Sequence, residues 1–437
     1  GWDTDCNSGN VGCVLGIKNG IESLKAKPDY LTPVNDIVYC PSAIGGETIT
    51  DALTETYKII NIARNLNGLK DKKIKDFSRY HFEMPYSTQG WKARTDTKEN
   101  FIEIRNILYK SEIGERALQV KFKCLNKNFK SEIYVDTFLP EEATKLKGLA
   151  RKKFFGYKFI SCPIIYTNQI ARLELVSKSE ETIRLNLFIE YWGKNDKLIK
   201  ICSPENAVES FKVKTITWKI PDTLSNPIGK LGIIFHTKNP CESSFLLNYV
   251  KICGESKQRF IKPKHIPKYQ KGKSVKENFY GEMWKNAWVS NVDNWDSKYK
   301  NFRITKNFGR GLISTGTDIW RNYSISAQIV FQLVISGGLI TRFQGLSRYY
   351  SLEITSTNKI RLVKMYYKKI ILEEIDFDFD FFKKFNLKFT VNENILKGYL
   401  ENKLIIQASD KENILESGGI GLLVENGTLN TDEIIID

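Results

Sequence analysis

The stretch Leu118-Gln119-Val120-Lys121-Phe122-Lys123-Cys124 alternates apolar and polar side chains along its whole length. This alternation is typical of a β-strand with one face in a core and the other in solvent. The stretch from Ile183 to Tyr191 repeats it, with Leu185, Leu187 and Ile189 on one side. Several such strands, separated by Gly, Pro and Asn, predict an antiparallel β-sandwich over residues 76–254.

The same period returns in the last third of the chain and predicts a second antiparallel sandwich over residues 277–437. Its strands are expected at Tyr323–Leu333, Tyr349–Thr355, Leu387–Val391 and Ile420–Val424. The two β regions also end in similar apolar stretches, Phe245–Ile252 and Gly418–Val424. The first resembles the closing strands of jelly-roll, carbohydrate-binding-like modules, and the second those of concanavalin- or laminin-G-like sandwiches.

Residues 1–68 show a helical period instead. The apolar side chains that recur at helical spacing are Ile49, Leu53, Tyr57, Ile60 and Ala63. Thr48 and Asp51 have the spacing of a capping box, and Asn67-Gly68 suits a helix end, so we expect a helix over about 49–66. The predicted fold class is therefore multidomain, with a short all-α N-terminal piece followed by two antiparallel β-sandwich domains.

The charge of the chain is spread unevenly. The formal net charge is +16, but residues 1–68 hold five basic and eight acidic side chains. Residues 255–276 hold eight basic residues and one acidic residue, together with Pro263 and Pro267, which predicts a stiff, solvated linker between the sandwiches. No nucleic-acid-binding module accompanies the positive charge, so nucleic acid is not an expected partner.

The cysteine pattern and the hydropathy of the chain bear on its cellular location. The eight cysteines include no CxxC pair and no His partner at zinc spacing, which argues against a zinc site and favours a reducing, cytoplasmic location. No run of 18 apolar residues occurs, so no membrane span is expected. Because the chain opens at Gly1, inside a motif and without Met, we expect it to be a fragment of a longer polypeptide.

That motif is Gly1-Trp2-Asp3-Thr4-Asp5-Cys6, and glycines follow it every three or four residues. Two carboxylates one residue apart can face one hard cation, and oxygen ligands without a nearby His suit magnesium, calcium or manganese. An EF-hand loop does not fit, because its twelfth position holds Val14 in place of Glu. Glycines weaken an isolated helix, so such a helix is expected to be buried and closely packed.

The opening stretch resembles the C-terminal metal motif of the ADP-ribosylglycohydrolases, the all-helical dinitrogenase-reductase-activating and ADP-ribose-hydrolysing enzymes. That motif is G-x-D-T-D followed by small residues and glycines. A second block agrees, because Pro33-Val34-Asn35-Asp36 and the helix after it resemble a P-L-N-D-like segment that leads into the family's closing helix. The resemblance covers about 66 of the 437 residues.

The resemblance implies a binuclear magnesium site, with manganese as an alternative, in which Asp3 and Asp5 are two of the metal ligands. The family usually has Thr or Ser where Cys6 stands, and a thiol is a poor ligand for magnesium, so Cys6 is a neighbour of the site rather than a ligand. Trp2 and Thr4 are candidate substrate contacts. Further family ligands come from an upstream Ser/Thr-Asp-Asp motif, and this chain has no Asp-Asp dipeptide.

In a complete enzyme of this family, the reaction is hydrolysis of the glycosidic bond of an ADP-ribosylated protein or an ADP-ribose-containing small molecule. The chain alone is expected to be inactive, since half of the metal site lies elsewhere. The residues that act in catalysis are not assigned.

The alternative is a non-enzymatic glycan- or surface-binding β-sandwich protein with a relic helical segment. The pattern of aromatic residues in the second sandwich suggests carbohydrate as a partner. Trp320, Arg342, Tyr349 and Tyr350 either form a platform for a sugar ring or belong to a sandwich core.

Overall fold

The structure is a computed structural model that describes residues 4–25, 31–39, 49–72, 74–75, 78–95, 101–110, 115–124, 131–149, 162–237, 241–262, 283–295 and 301–437. Helices α1 to α5 span Thr4–Asn19, Leu31–Val34, Ala52–Leu66, Glu141–Lys145 and Met283–Asn286. Single 3-10 turns span Ile21–Lys25 and Lys194–Asp196. None of the described helices is long and apolar enough to cross a membrane.

The strands account for most of the described chain. Strands β1 to β13 span Ile37–Tyr39, Ile49–Asp51, Lys92–Thr95, Phe101–Lys110, Glu115–Cys124, Ser131–Asp136, Ile170–Ser177, Ile183–Trp192, Leu198–Cys202, Asn206–Val208, Val213–Lys219, Ile228–His236 and Cys241–Cys253. Strands β14 to β27 span Gln258–Ile261, Val289–Ser290, Asn294–Trp295, Phe302–Thr315, Tyr323–Gln332, Ser336–Gly345, Arg348–Thr355, Lys359–Tyr366, Lys368–Asp376, Lys384–Asn392, Ile395–Leu400, Lys403–Ser409, Gly419–Thr431 and Glu433–Ile436.

The first β region is an antiparallel sandwich, as predicted. One sheet has the order β10-β8-β12-β6-β3 with β9 alongside β8, and the other has the order β11-β7-β13-β5-β4. The alternation that predicted β5 is confirmed, because Leu118, Val120 and Phe122 are fully buried in the core between the sheets. Their neighbours Lys121 and Lys123 are exposed.

The second β region is also antiparallel, but its thirteen described strands, together with β14, form one continuous sheet of fourteen strands instead of two separate sheets. The 13-residue strand β26 joins its parts, since it pairs with β17, β19 and β18. Strands at opposite ends of the order, such as β22 and β25, touch, so the sheet folds over its own core. The four predicted strands of this region are confirmed as β18, β20, β23 and β26, although β18 ends at Gln332, one residue before the predicted end.

The sandwiches are in direct contact, and the segment predicted to be a linker begins as a strand. Residues 258–261 form β14, which pairs with the last strand of the chain, β27. Phe260 is buried against Trp288, with ring centroids 5.2 Å apart. The basic composition of residues 255–276 predicted exposure to solvent, but Phe260 in this segment belongs to the core of the second sandwich. Residues 263–276 lie outside the described chain.

In the N-terminal piece, the helix predicted over 49–66 begins at Ala52. The predicted capping box of Thr48 and Asp51 is wrong, because Asp51 is itself the N-cap and accepts a 2.8 Å hydrogen bond from the Thr54 N–H. Residues 49–51 instead form β2, which pairs with β1. The helix ends as expected, with Asn67 as the C-cap and Gly68 at a positive φ of 70°.

Helix α1 was expected to be buried, and it is not. Its apolar side chains are exposed, up to 87% for Ile17. A Cβ atom added at Gly9, Gly12 or Gly16 would meet no atom within 4 Å. In the described part of the chain, only the following 3-10 turn makes repeated contact with α1, so the glycine stripe contacts no second helix.

Candidate functional site

The residues predicted as a metal site lie at the edge of what the structure describes. Thr4 begins α1 and is exposed, as is Cys6. Asp5 lies in the first turn of α1, but its side chain, like the whole of Trp2 and Asp3, lies outside the described residues. Among the residues that are described, no three His, Cys, Asp or Glu side chains come together as a metal site. The ligand roles of Asp3 and Asp5 stay a prediction.

The Pro33–Asp36 segment, the second block of the family resemblance, docks on the first sandwich. Asn35 donates to the Trp91 carbonyl at 3.2 Å and accepts from the Thr88 hydroxyl at 2.9 Å. Asp36 accepts a hydrogen bond from the Ser87 hydroxyl. Burial raises the pKa of Asp36. In this chain the segment therefore anchors the helical piece to the loop that precedes β3.

The four residues proposed as a sugar platform or as core belong to the core. Trp320, Tyr349, Tyr350 and Arg342 are all nearly inaccessible to solvent. Arg342 donates to the backbone carbonyls of Arg321, Glu393 and Leu415. Rings buried in this way have no face left for a ligand, so the sandwich-core alternative is correct.

A group of charged residues on the first sandwich is the best candidate for a site. The outward side of β3, β6, β8, β9 and β12 carries what we call the ionic face: Lys92, Arg94, Glu132, Tyr134, Asp136, Glu190, Lys200 and Lys230. It arises from strand alternation, because Ile133 and Val135 point into the core and their neighbours on β6 point out.

Arg94 is at the centre of the ionic face. Its Nε donates to Glu132 and its Nη2 to Glu190, both at 2.7 Å. Lys200 contacts the same two carboxylates, at 2.6 and 3.3 Å. The carboxylates are buried, whereas the side chains of Arg94 and Lys200 are 34% and 32% exposed. The Nη1 of Arg94 donates no hydrogen bond to any described residue.

A second group of contacts extends the face along the strands. Asp136, Lys230 and Glu190 lie in one row across β6, β12 and β8. Lys92 donates to Asp136 at 2.9 Å and is 33% exposed. The ring of Tyr134 lies between two cations, with Arg94 at 5.2 Å and Lys230 at 5.0 Å from its centroid. The exposed surface is therefore one of rigidly held N–H donors around an aromatic ring.

The pKa values follow from burial and pairing. Burial acts to raise the pKa of Glu190, but the hydrogen bond from Arg94 and the charges of Lys230 and Lys200 outweigh it and hold that pKa below its usual value. For Asp136, burial prevails over Lys92 and the pKa is raised. Burial also raises the pKa of Tyr134 to about 12, so its hydroxyl keeps its proton at neutral pH.

The sequence carried one local signal for this face, which was missed. Glu132 and Asp136 flank Tyr134 at alternate positions of one strand, so all three must lie on the same side of the sheet. Their partners come from far away in the chain, since Arg94 and Glu190 are 96 residues apart. The contacts between them depend on the strand order, which alternation alone does not provide.

Comparisons with known proteins concern the fold. No family model and no curated protein matches the chain. Similar solved structures include the carbohydrate-binding module CBM66 from Bacillus subtilis, which is 18% identical, with 34% of this chain and 94% of that chain covered and a TM-score of 0.32. Another is the CBM22-1 xylan-binding domain of Xyn10C from Paenibacillus barcinonensis, at 12% identity, 40% and 90% coverage and a TM-score of 0.27.

The N-terminal tandem CBM22-1–CBM22-2 domain of the same Xyn10C is 8% identical and spans more of the chain, with 82% of this chain and 96% of that one covered and a TM-score of 0.27. These similar structures are carbohydrate-binding β-sandwich modules.

Proposed function

We propose that the first sandwich binds neutral carbohydrate through the ionic face. One observation carries the proposal: Arg94 is held by two buried carboxylates while its Nη1 remains without a described acceptor. Lys92 and Lys200, each about one-third exposed, lie on the same face and add further N–H donors. A side chain that is already ordered loses little entropy when it binds a ligand.

The charge balance of the face favours a neutral ligand. Its four cations (Lys92, Arg94, Lys200 and Lys230) face three carboxylates (Glu132, Asp136 and Glu190), and Glu141 beside the face lies 3.6 Å from Lys230, so at most one positive charge remains. An anion would gain little from such a surface. Sugar hydroxyls can accept the charge-assisted hydrogen bonds that the cations offer, and the apolar face of a sugar ring packs well beside an aromatic side chain.

The test is affinity electrophoresis of the chain in gels that contain soluble xylan, β-glucan, galactan or levan, followed by calorimetric titration with oligosaccharides of the polymer that retards it. We expect Arg94→Gln to weaken binding at least tenfold, because it removes charge-assisted donors. Arg105→Gln is the matched control, since Arg105 is also paired with a glutamate but lies exposed on the other sheet, and it should bind as the wild type does. Retardation by none of the polymers, or equal affinity in Arg94→Gln, would refute the proposal.

We propose as a second function that residues 1–68 belong to a magnesium-dependent ADP-ribosylglycohydrolase. The observation behind it is the Gly1–Cys6 motif with the later Pro33–Asp36 block. The donor set fits, because the carboxylates of Asp3 and Asp5 are hard oxygen ligands of the kind that Mg²⁺ prefers. Magnesium would supply charge stabilisation and an oriented water for glycosidic hydrolysis, and the role of this chain would be to hold the ion through these two aspartates.

A chimera tests this second proposal. A helical domain of the family, in which the final segments are replaced by residues 1–68 of this chain, is assayed for ADP-ribose release from an ADP-ribosylated peptide with and without Mg²⁺. Release that needs Mg²⁺ and is abolished by Asp5→Ala supports it. Turnover that Asp5→Ala leaves unchanged would defeat the assignment.

A further inference from the structure

A cleft of about 300 Å³ lies where α3 meets both sandwiches. Its walls come from α3, the segment that follows it, loop and strand residues of the first sandwich, and the loop between β17 and β18 of the second. They comprise Thr54, Tyr57, Lys58, Asn61, Lys72, Ile74, Ser78, Arg79, His81, Ile164, Ile252, Thr317, Asp318 and Ile319. Junctions between structural units are common positions for small-molecule sites, and this volume is at the lower end of their range.

Part of the lining of this junction cleft is apolar. Four isoleucines line it: Ile74, Ile164, Ile252 and Ile319. The half-buried ring of Tyr57 also lines the cleft and is fixed edge-on against His81, with ring centroids 5.2 Å apart. An apolar, flat group placed here would leave water and contact branched aliphatic and aromatic side chains.

The lining of the cleft also includes cationic side chains. Lys58, Lys72 and Arg79 line the cleft, and among the lining residues that the structure describes only Asp318 is acidic. The Lys72 ammonium lies 5.8 Å from the Tyr57 ring centroid, and the Lys72 backbone N–H donates to Asn61 at 2.8 Å, which fixes the chain at this point. Lys58 forms a salt bridge with Glu55, with 2.9 Å between Nζ and Oε1. The excess of positive charge therefore lies beside the aromatic ring.

We propose that this junction cleft binds a small organic anion that combines an apolar ring with a phosphate or carboxylate head. The ring lies between Tyr57 and the isoleucines, and the head lies between Lys72 and Lys58. The amide nitrogen of Asn61 can donate a hydrogen bond to a further polar substituent, and the Ser78 oxygen, whose hydroxyl donates to the Lys75 carbonyl at 2.6 Å, can accept one. This site is separate from the ionic face and uses none of its residues.

Calorimetric titration of the full chain tests the proposal with four probes: phenyl phosphate, benzoate, inorganic phosphate and benzyl alcohol. Phenyl phosphate or benzoate should bind saturably, and which of them binds more tightly identifies the head group. Inorganic phosphate lacks the ring and benzyl alcohol lacks the charge, so each should bind at least tenfold more weakly. Affinity should fall as salt is added.

Two charge-reversal variants separate this site from a general effect of charge. Lys72→Glu should weaken binding at least tenfold while leaving thermal unfolding unchanged, since Lys72 is exposed. Lys403→Glu makes the same change at an exposed lysine of β25, outside the cleft, and should bind as the wild type does. Absence of saturable binding, inorganic phosphate binding as tightly as phenyl phosphate, or equal losses in the two variants would each overturn the proposal.

Discussion

Gly232 shows how one missing side chain shapes the ionic face. It lies on β12 between Tyr134 and Phe188, and an added Cβ atom would lie 2.4 Å from the Phe188 ring and 2.5 Å from the Ile133 carbonyl oxygen. We expect Gly232→Ala to lower the free energy of unfolding by about 1–3 kcal/mol, as overpacking does, measured by urea denaturation.

The control for this glycine is Gly12→Ala on the exposed α1, where the new methyl group meets no atom within 4 Å. There the helix propensity of alanine should make the change neutral or stabilising by up to about 1 kcal/mol. A Gly232→Ala protein as stable as the wild type would show that the Phe188 ring and the β6 backbone at Ile133 can both move away at no cost.

His81 makes the stability depend on pH. Burial, with smaller effects of Lys75 and Arg79, lowers its pKa from 6.5 to about 4. The unfolded chain therefore takes up a proton at a higher pH than the folded chain does. The contribution of neutral, buried His81 to the free energy of unfolding is fully present above pH 6.5. About 2–3 kcal/mol of it is lost as the pH falls towards 4.

The comparison with His81→Gln isolates this effect from that of the carboxylates. In urea denaturation at pH 7, 5.5 and 4.5, the wild type should lose more stability than the variant over this range. Parallel pH profiles of the two proteins would mean that His81 titrates normally in the folded state.

At the scale of elements, the cap of α3 joins the helical piece to the first sandwich. The Asp51 carboxylate accepts from the Thr54 N–H and hydroxyl, each at 2.8 Å, and from the Gln89 amide at 3.2 Å. Asp51→Ala should cost about 1–2 kcal/mol, because the helix loses its cap and Gln89 loses an acceptor. Asp51→Asn keeps an acceptor oxygen and should cost less in chemical denaturation, and an equal loss in both variants would point to the charge instead of the cap.

Sequence periodicity predicted elements well where the pattern was local. β5 and β8 followed from alternation, because one face of each strand is buried whatever its partners are. β14 was missed, because its partner β27 lies at the far end of the sequence: Arg259 of β14 bonds to Glu433, 174 residues away. Nothing in a basic segment that also contains two prolines indicates this pairing. The start of α3 was placed three residues early, since Ile49 is buried through its place in β2 and not through a helix.

At the scale of the whole molecule, the two sandwiches share one apolar cluster. Phe138, Leu139, Tyr166 and Trp192 of the first sandwich belong to the core of the second. The Tyr166 ring packs edge-on against Trp320, with centroids 4.8 Å apart, and its hydroxyl accepts the Gly316 N–H at 2.9 Å. The sequence predicted two sandwiches separated by a solvated linker, because period and composition carry no information about contacts between domains.

The shared cluster predicts that both sandwiches unfold in one cooperative step, since separation would expose the rings buried between them. Hydrogen exchange of the most protected amides in β12 and β20 should then report a single free energy of opening. Phe235 lies in the core of the first sandwich and is absent from the shared cluster, so Phe235→Leu should lower the free energy of opening equally in both strands. Tyr166→Phe should also lower it equally in both, by about 1–3 kcal/mol, because the Gly316 N–H loses its acceptor. If Phe235→Leu weakens protection in β12 alone, the sandwiches unfold separately. The contact between them would then contribute less to the free energy of unfolding than either core does.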